Sequence, residues 1–240
     1  MARFVDIHCH ALFGVDDGAS SEEVMQQMLR LAYETGTGTV CFTPHFDPYH
    51  KFDQVALERA FSSAVSYCAD HCPEMRLVLG NELSYHMGCL ESVLDGRCRT
   101  MAGGRYVLID FFSCSGLPEL QRCVTKVAGS GYIPIIAHVE RYGFLSGKVR
   151  EIAALREGGA VIQVNANSIL LGCFSSVGRM ARRLLAEDLV DIVASDGHDA
   201  SARSPVLCDA YRAVQKKYGE AYADQLFSTN PERVLSGKRI

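Results

Sequence analysis

The sequence predicts an α/β fold with a mostly parallel sheet, built as a single barrel-like domain over residues 1–240. Three observations carry this. Seven short apolar, β-rich runs recur along the chain, and segments with helical spacing separate most of them. Several runs are continuously apolar, as strands covered on both faces are. Seven strand–helix units favour a barrel, and the length suits one; an open doubly wound sheet is the alternative.

The predicted strands are 5–8, 39–43, 77–80, 106–111, 133–137, 161–165 and 189–195. After the first, Ser20-Ser21-Glu22-Glu23 supplies an N-cap and acids for a helix over 22–34, with Val24, Met28, Leu31 and Ala32 as its apolar stripe. Further helices are expected over 54–69, 117–128, 148–157 and 178–187, and two more over 205–217 and 220–227. Gly36, Gly131 and Gly158-Gly159 stand where helix-terminating glycines belong. The 88–104 connection is less regular.

Composition narrows the function. With 48% hydrophobic and 22% charged residues, the chain reads as a soluble globular protein. A net charge of -4 without a basic stripe disfavours nucleic-acid binding. No apolar run is long enough to span a membrane. The amino terminus enters a strand almost at once, without a signal peptide, so a cytoplasmic location is expected. Ten scattered cysteines with no C-x-x-C pair suit a reduced population acting mainly as small apolar residues.

The chemistry-bearing residues gather where predicted strands stop. Asp6-Ile7-His8-Cys9-His10 ends the first run, His45 the second, Glu82 the third, Asp110 the fourth and His138 the fifth; Asp196 and His198 follow the seventh, and Asp17 lies just beyond the first. In both candidate folds the carboxyl ends of strands form the active-site face. Residues two apart on an extended chain point the same way, so His8 and His10 can share one ion. Imidazole mixed with carboxylate suits Zn, Mn or Fe, and the lack of cysteine pairs argues against a structural zinc site. Any one of these residues could be an ordinary core or surface residue; their joint placement points to a multinuclear metal site.

The motifs carry a family resemblance. Asp6-Ile7-His8-Cys9-His10 with Val15-Asp16-Asp17-Gly18 resembles the opening of the PHP (polymerase and histidinol phosphatase) superfamily. Ala137-His138-Val139-Glu140-Arg141-Tyr142 and Ala194-Ser195-Asp196-Gly197-His198 are similar to its manganese-dependent bacterial protein-tyrosine phosphatases, associated with capsule and exopolysaccharide production. The resemblance runs from Asp6 to about Pro231 and implies a distorted seven-stranded (β/α)7, TIM-like barrel holding three divalent ions, manganese in the first place, with iron or zinc as alternatives. It places His8, His10, Glu82 and Asp196 on one ion, Glu82, Asp110 and His138 on a second, and Asp17, His45 and His198 on a third. At Asp110 the related phosphatases usually carry Glu, one methylene longer.

Clustered divalent ions bind phosphate oxygens and generate a nucleophilic hydroxide near neutral pH. The remaining phosphate charge needs fixed cations, for which Arg141 and Arg203 are the candidates, matching the family's phosphate-binding arginines. A tyrosyl leaving group, with a pKa near 10, needs little protonation. The expected activity is direct hydrolysis of phosphotyrosine, on a bacterial tyrosine kinase by family resemblance, with a homo-oligomer suggested on the same basis. A small phosphomonoester such as histidinol phosphate is the second enzymatic reading, and a metal-binding module without turnover the non-enzymatic one. Cys173-Phe174-Ser175-Ser176-Val177-Gly178-Arg179 spells the C-x5-R spacing of cysteine-dependent phosphatases. The usual preceding His is Gly172, however, and the following Ser or Thr is Met180.

Overall fold

Nine parallel strand segments, rather than seven uninterrupted strands, make up the sheet in the computed structural model, which describes residues 4–47, 49 and 52–240. They are β1 (Phe4–Cys9), β2 (Thr37–Phe42), β3 (His45–Phe46), β4 (Arg76–Leu79), β5 (Glu82–Ser84), β6 (Tyr106–Asp110), β7 (Ile133–Ile136), β8 (Val161–Asn165) and β9 (Ile192–Ala194). One ladder runs β1-β2-β4 and the other β3-β5-β6-β7-β8-β9.

The two extra segments arise from breaks. Pro44 has no amide hydrogen with which to continue a ladder, so the second predicted strand, 39–43, ends as β2 and a new segment, β3, opens beyond it at His45. The third, 77–80, ends as β4, and β5 opens past Gly80-Asn81 at Glu82. Hydrogen bonding bridges both breaks: Gly80 N donates to Phe42 O (2.8 Å) and Glu82 N to Pro44 O (3.2 Å). His45 and Glu82 therefore open short segments of their own instead of closing long ones. The sheet curls far enough for the end of β9 to meet the end of β1. There Asp196 N donates to His8 O and His10 N to Gly197 O, both at 2.8 Å.

Helices cover the outer face: α1 (Glu22–Glu34), α2 (Gln54–His71), α3 (Cys89–Leu94), α4 (Leu117–Gly129), α5 (Val149–Glu157), α6 (Ala166–Leu170), α7 (Ser176–Ala186), α8 (Cys208–Tyr218), α9 (Glu220–Asp224) and α10 (Asn230–Leu235). Ser21 caps α1 by accepting from Val24 N, and Asp53 caps α2 by accepting from Val55 N and Ala56 N. The chain leaves α1 and α4 through Gly36 (φ 102°) and Gly131 (φ 86°), in the left-handed region where a side chain is disfavoured. The irregular 88–104 connection holds α3 and a 3-10 turn over Met101–Gly103. The short helices α3, α6 and α10 go beyond the helices read from periodicity, being too brief to show one.

One apolar core lies within the curl: Val5, Ile7, Cys41, Leu108, Ile135, Val161, Ile192 and Ala194, closed beneath by Met101, Tyr106 and Val234. Two others pack the sheet against the helices. Side-chain alternation leads out of the inner core to the polar end: Leu108 to Asp110, Val161 to Gln163 and Asn165, and Ala194 to Asp196. Among the described residues, no helix is long and apolar enough to cross a membrane.

Candidate metal centre

The structure brings all nine predicted metal-ligating residues to one end of the curled sheet. His8 lies near the end of β1, and His10 follows the same strand. His45 and Glu82 come from the paired segments β3 and β5, in direct register. Asp110 ends β6, His138 follows β7, and Asp196 and His198 follow β9. The ligand atoms form three groups that share members: His10, Asp17, His45 and His198; His8, His10 and Glu82; Glu82, Asp110 and His138. Asp196 stands beside the first two, its Oδ1 lying 3.5 Å from His8 Nε2, 3.6 Å from His10 Nε2 and 3.5 Å from His198 Nδ1.

Hydrogen bonding fixes which ring nitrogens remain available. Gln163 Oε1 already accepts from His138 N (2.8 Å), so His8 Nδ1, 3.2 Å away, must be the donor to it. His10 Nδ1 donates to the Asp16 carboxylate at 2.7 Å. Neutral rings held in this way leave both Nε2 atoms as acceptors, yet these face each other at 3.1 Å. Two lone pairs directed at one point repel unless a positive charge lies between them. Glu82 adds its Oε2 to the same space, 3.3 Å from His8 Nε2, 3.2 Å from His10 Nε2 and 3.0 Å from His45 Nδ1. Glu82 Oε2 and His198 Nε2 are buried with no hydrogen-bond partner, and His138 turns its Nε2 to Glu82 Oε1 (2.9 Å). Orphaned buried atoms of this kind cost free energy, and divalent cations among these groups would satisfy them. The imidazole–carboxylate donor set fits such an ion.

The electrostatics agree. Burial disfavours a charged Glu82, but the surrounding imidazoles of His8, His10, His138 and His45 outweigh it and hold the carboxyl well below its ordinary range. Burial likewise opposes protonation of His10, while Asp16 and Glu82 raise it well above the usual imidazole value. His198 goes the other way, to about 4, through burial and the neighbouring charge on His10. The cluster thus draws in positive charge, as proton or as metal.

Two backbone features hold the ends of strands in unusual shapes. His138 (φ 30°) and Asp196 (φ 52°) both occupy the left-handed region without being glycine. Gly18 is required for a different reason: a Cβ there would fall 1.8 Å from His10 O, so only glycine lets the Asp16–Gly18 turn close against His10.

Arg141 and Arg203 meet on a single oxygen. Their guanidinium groups donate to Asp196 Oδ2 at 3.1 and 3.2 Å, and Asn165 Nδ2 donates to it at 2.7 Å. Both arginines are part-exposed beside the buried cluster. Asp110 Oδ1 accepts from Phe112 N (2.9 Å) and from the Tyr142 hydroxyl (3.1 Å), so its carboxylate is oriented despite the shorter side chain.

Sequence reasoning passed over the residues that aim these groups. Asp16, Gln163, Asn165 and Glu140 are polar residues on or beside the site's strands; Asp16 and Glu140, which accepts from Asn165 N (3.0 Å), stand inside the quoted motifs, and that was the available signal. Cys173 stands apart. It is exposed, and Arg179 donates to the carbonyls of Cys173 (3.0 Å) and Phe174 (2.8 Å) instead of facing an anion pocket around the thiol. All ten cysteines are free.

Comparison with known proteins follows the same lines. A profile of the capsular polysaccharide synthesis family CpsB/CapC matches residues 4–236. The chain is 28% identical over 242 residues to the tyrosine-protein phosphatase CpsB of Streptococcus pneumoniae, covering 98% of this chain and 100% of that protein. A solved structure from work on YwqE of Bacillus subtilis and CpsB of S. pneumoniae, described as metal-dependent tyrosine phosphatases, superposes with a TM-score of 0.87 at 24% identity, over 98% of this chain and 96% of that one. A histidinol phosphate phosphatase of Lactococcus lactis gives 0.55 at 17% identity, over 90% of this chain and 94% of that one, a likeness of fold. The chain belongs to the CpsB/CapC family of capsular polysaccharide synthesis.

Proposed function

We propose that this protein is a metal-dependent protein-tyrosine phosphatase that removes phosphate from a phosphotyrosine-bearing protein, in the first place a bacterial tyrosine kinase controlling capsule or exopolysaccharide synthesis. The observation that carries the reading is the convergence of the His8, His10 and Glu82 acceptors on one point, with two arginines alongside on Asp196. Family membership and the tyrosine-phosphatase relatives support it.

His8, His10, Asp17, His45, Glu82, Asp110, His138, Asp196 and His198 would hold three divalent ions, manganese or else iron or zinc. Ions there would supply Lewis acidity that activates a nucleophile and offsets phosphate charge. Arg141 and Arg203 bind the non-bridging phosphate oxygens, exchanging Asp196 Oδ2 for substrate. Gln163 and Asp16 keep His8 and His10 in the tautomer that presents Nε2. In this reading the nine strand segments count as seven barrel staves, with β2 and β3 as one and β4 and β5 as another. The β1–β9 bonds support that closure. The whole chain is then one catalytic domain, working in the cytoplasm and open to self-assembly.

The test is metal reconstitution followed by assay on a phosphotyrosyl peptide and on histidinol phosphate. Manganese-dependent turnover of the peptide, lost in Arg141→Ala, is the expected outcome. Preference for histidinol phosphate would move the substrate assignment to a small monoester, and trapping of a phosphoenzyme would overturn direct hydrolysis.

A further inference from the structure

The site has two unlike flanks. Toward β7 and β9 lie Arg141 and Arg203, both on Asp196. Toward β5 and β6 the flank is apolar and open. Met87, on the connection after β5, is 82% exposed, and Phe112, on the connection after β6, is 68% exposed. The two connections leave the sheet side by side. Ser84 pairs with Asp110, and Tyr85 N extends the ladder by donating to Asp110 O (2.8 Å). Met87 is two residues past the one, Phe112 two past the other.

These side chains are not the loose tips of frayed loops. Beneath them Tyr85 and Phe111 are buried and stacked, with ring centroids 5.2 Å apart. The amide of Phe112 is tied to Asp110 Oδ1, the carboxylate that groups with Glu82 and His138. His86 Nδ1 lies 2.8 Å from Met87 O, and the His86 ring lies against Tyr49, itself 75% exposed, at 4.6 Å. Solvent-exposed apolar side chains on anchored backbone beside a polar centre mark a contact surface.

We propose that Met87 and Phe112 form an apolar platform for the aromatic ring and adjoining residues of a phosphotyrosyl peptide; this rests on the phosphatase reading. A ligand with an anionic head and a flat apolar body matches the two flanks at once. The head goes to the arginine side, and the ring lies against thioether and phenyl groups, which favour aromatic partners. A phosphoseryl group or a small aliphatic monoester offers nothing to the second flank. The platform thus makes the site selective for aryl phosphate on protein.

The experiment measures binding of a peptide carrying non-hydrolysable phosphonomethyl-phenylalanine, by fluorescence anisotropy on metal-loaded protein, for wild type, Met87→Ser and Phe112→Ser. Both positions are exposed, so the variants are expected to fold; circular dichroism checks it. Each should weaken peptide binding about fivefold or more, and the pair together further, as loss of a buried apolar anchor does. Competition by inorganic phosphate should shift by no more than about twofold, since phosphate reaches only the charged flank. Wild-type peptide affinity in both variants would overturn the platform. Unchanged affinity together with altered sedimentation would assign the same surface to a second copy of the chain, and equally overturn it. Failure of the underlying reading shows separately, as a wild type that binds and hydrolyses no phosphotyrosyl peptide.

Discussion

The two ends of the curled sheet are built to different standards. At the amino end, the charged and amide side chains of Arg156, Asp191 and Asn230 find their partners within the chain. Arg156 Nε donates to Asp191 Oδ1 (2.8 Å), Asp191 Oδ2 accepts from Ile162 N (2.9 Å), Asn230 Nδ2 donates to Asp191 O (2.9 Å), and the Tyr106 hydroxyl donates to Lys238 O (2.8 Å). At the carboxyl end two strands are broken and buried acceptors face one another, while left-handed non-glycine residues occur at both ends, His138 and Asp196 here and Glu74, Ala102 and Asp188 ahead of β4, β6 and β9. The first end pairs its charges and amides within the chain, leaving the buried Thr37 hydroxyl without a partner. The second is completed only by something the chain does not contain, which is how a binding centre differs from a structural one.

Substitution at the carboxyl end should break function before stability. His138→Ala is expected to lower kcat/KM on phosphotyrosyl peptide by about a thousandfold, as loss of a ligand does in a metal-dependent hydrolase. Steady-state kinetics with measured metal content checks this, and wild-type rates would remove His138 from the centre. Leu108→Ala sits midway, in the core below. It should cost about 2–5 kcal/mol of unfolding free energy with metal content retained, measured by denaturant titration. Metal addition should itself stabilise the wild type, by about 2.7 kcal/mol at a hundredfold excess over Kd, and His138→Ala should blunt that gain. At the amino end Arg156→Ala should cost about 1–2 kcal/mol by leaving Asp191 buried without its cation, while kcat/KM stays within about twofold. A loss of activity as large as that of His138→Ala would erase the contrast between the ends. The smallest effect is expected at Cys173→Ser, off both ends of the contrast, where activity should be unaltered in the same assay.

Much of this was legible in the chain. His8 and His10, two apart on a strand, declare a shared direction without any structure, and so do residues placed at the tips of β-rich runs. What period and tip position cannot show is a ladder that changes partner. β3 has only two residues and β5 three, too short to alternate visibly, so His45 and Glu82 read as the ends of longer strands. Nor could the sequence single out Gln163 or Asn165. Each is an ordinary strand residue until folding sets Gln163 against His8 and His138, and Asn165 against Asp196. The arginines were found by motif, but their meeting on one oxygen of Asp196 depends on the closeness of β7 and β9.

The contact between β1 and β9 also sets an order of events. Ser195 Oγ donates to Asp6 Oδ2 across 189 residues of sequence, in the same place where Asp196 N meets His8 O. A loop of that span forms late, because its closure entropy must be met before the contact returns anything. During synthesis His8 and His10 emerge long before Asp196 and His198, so the ligand set is completed only with the last strand. Completion of the centre and completion of the fold then coincide, and a chain stalled short of β9 would lack Asp196 and His198.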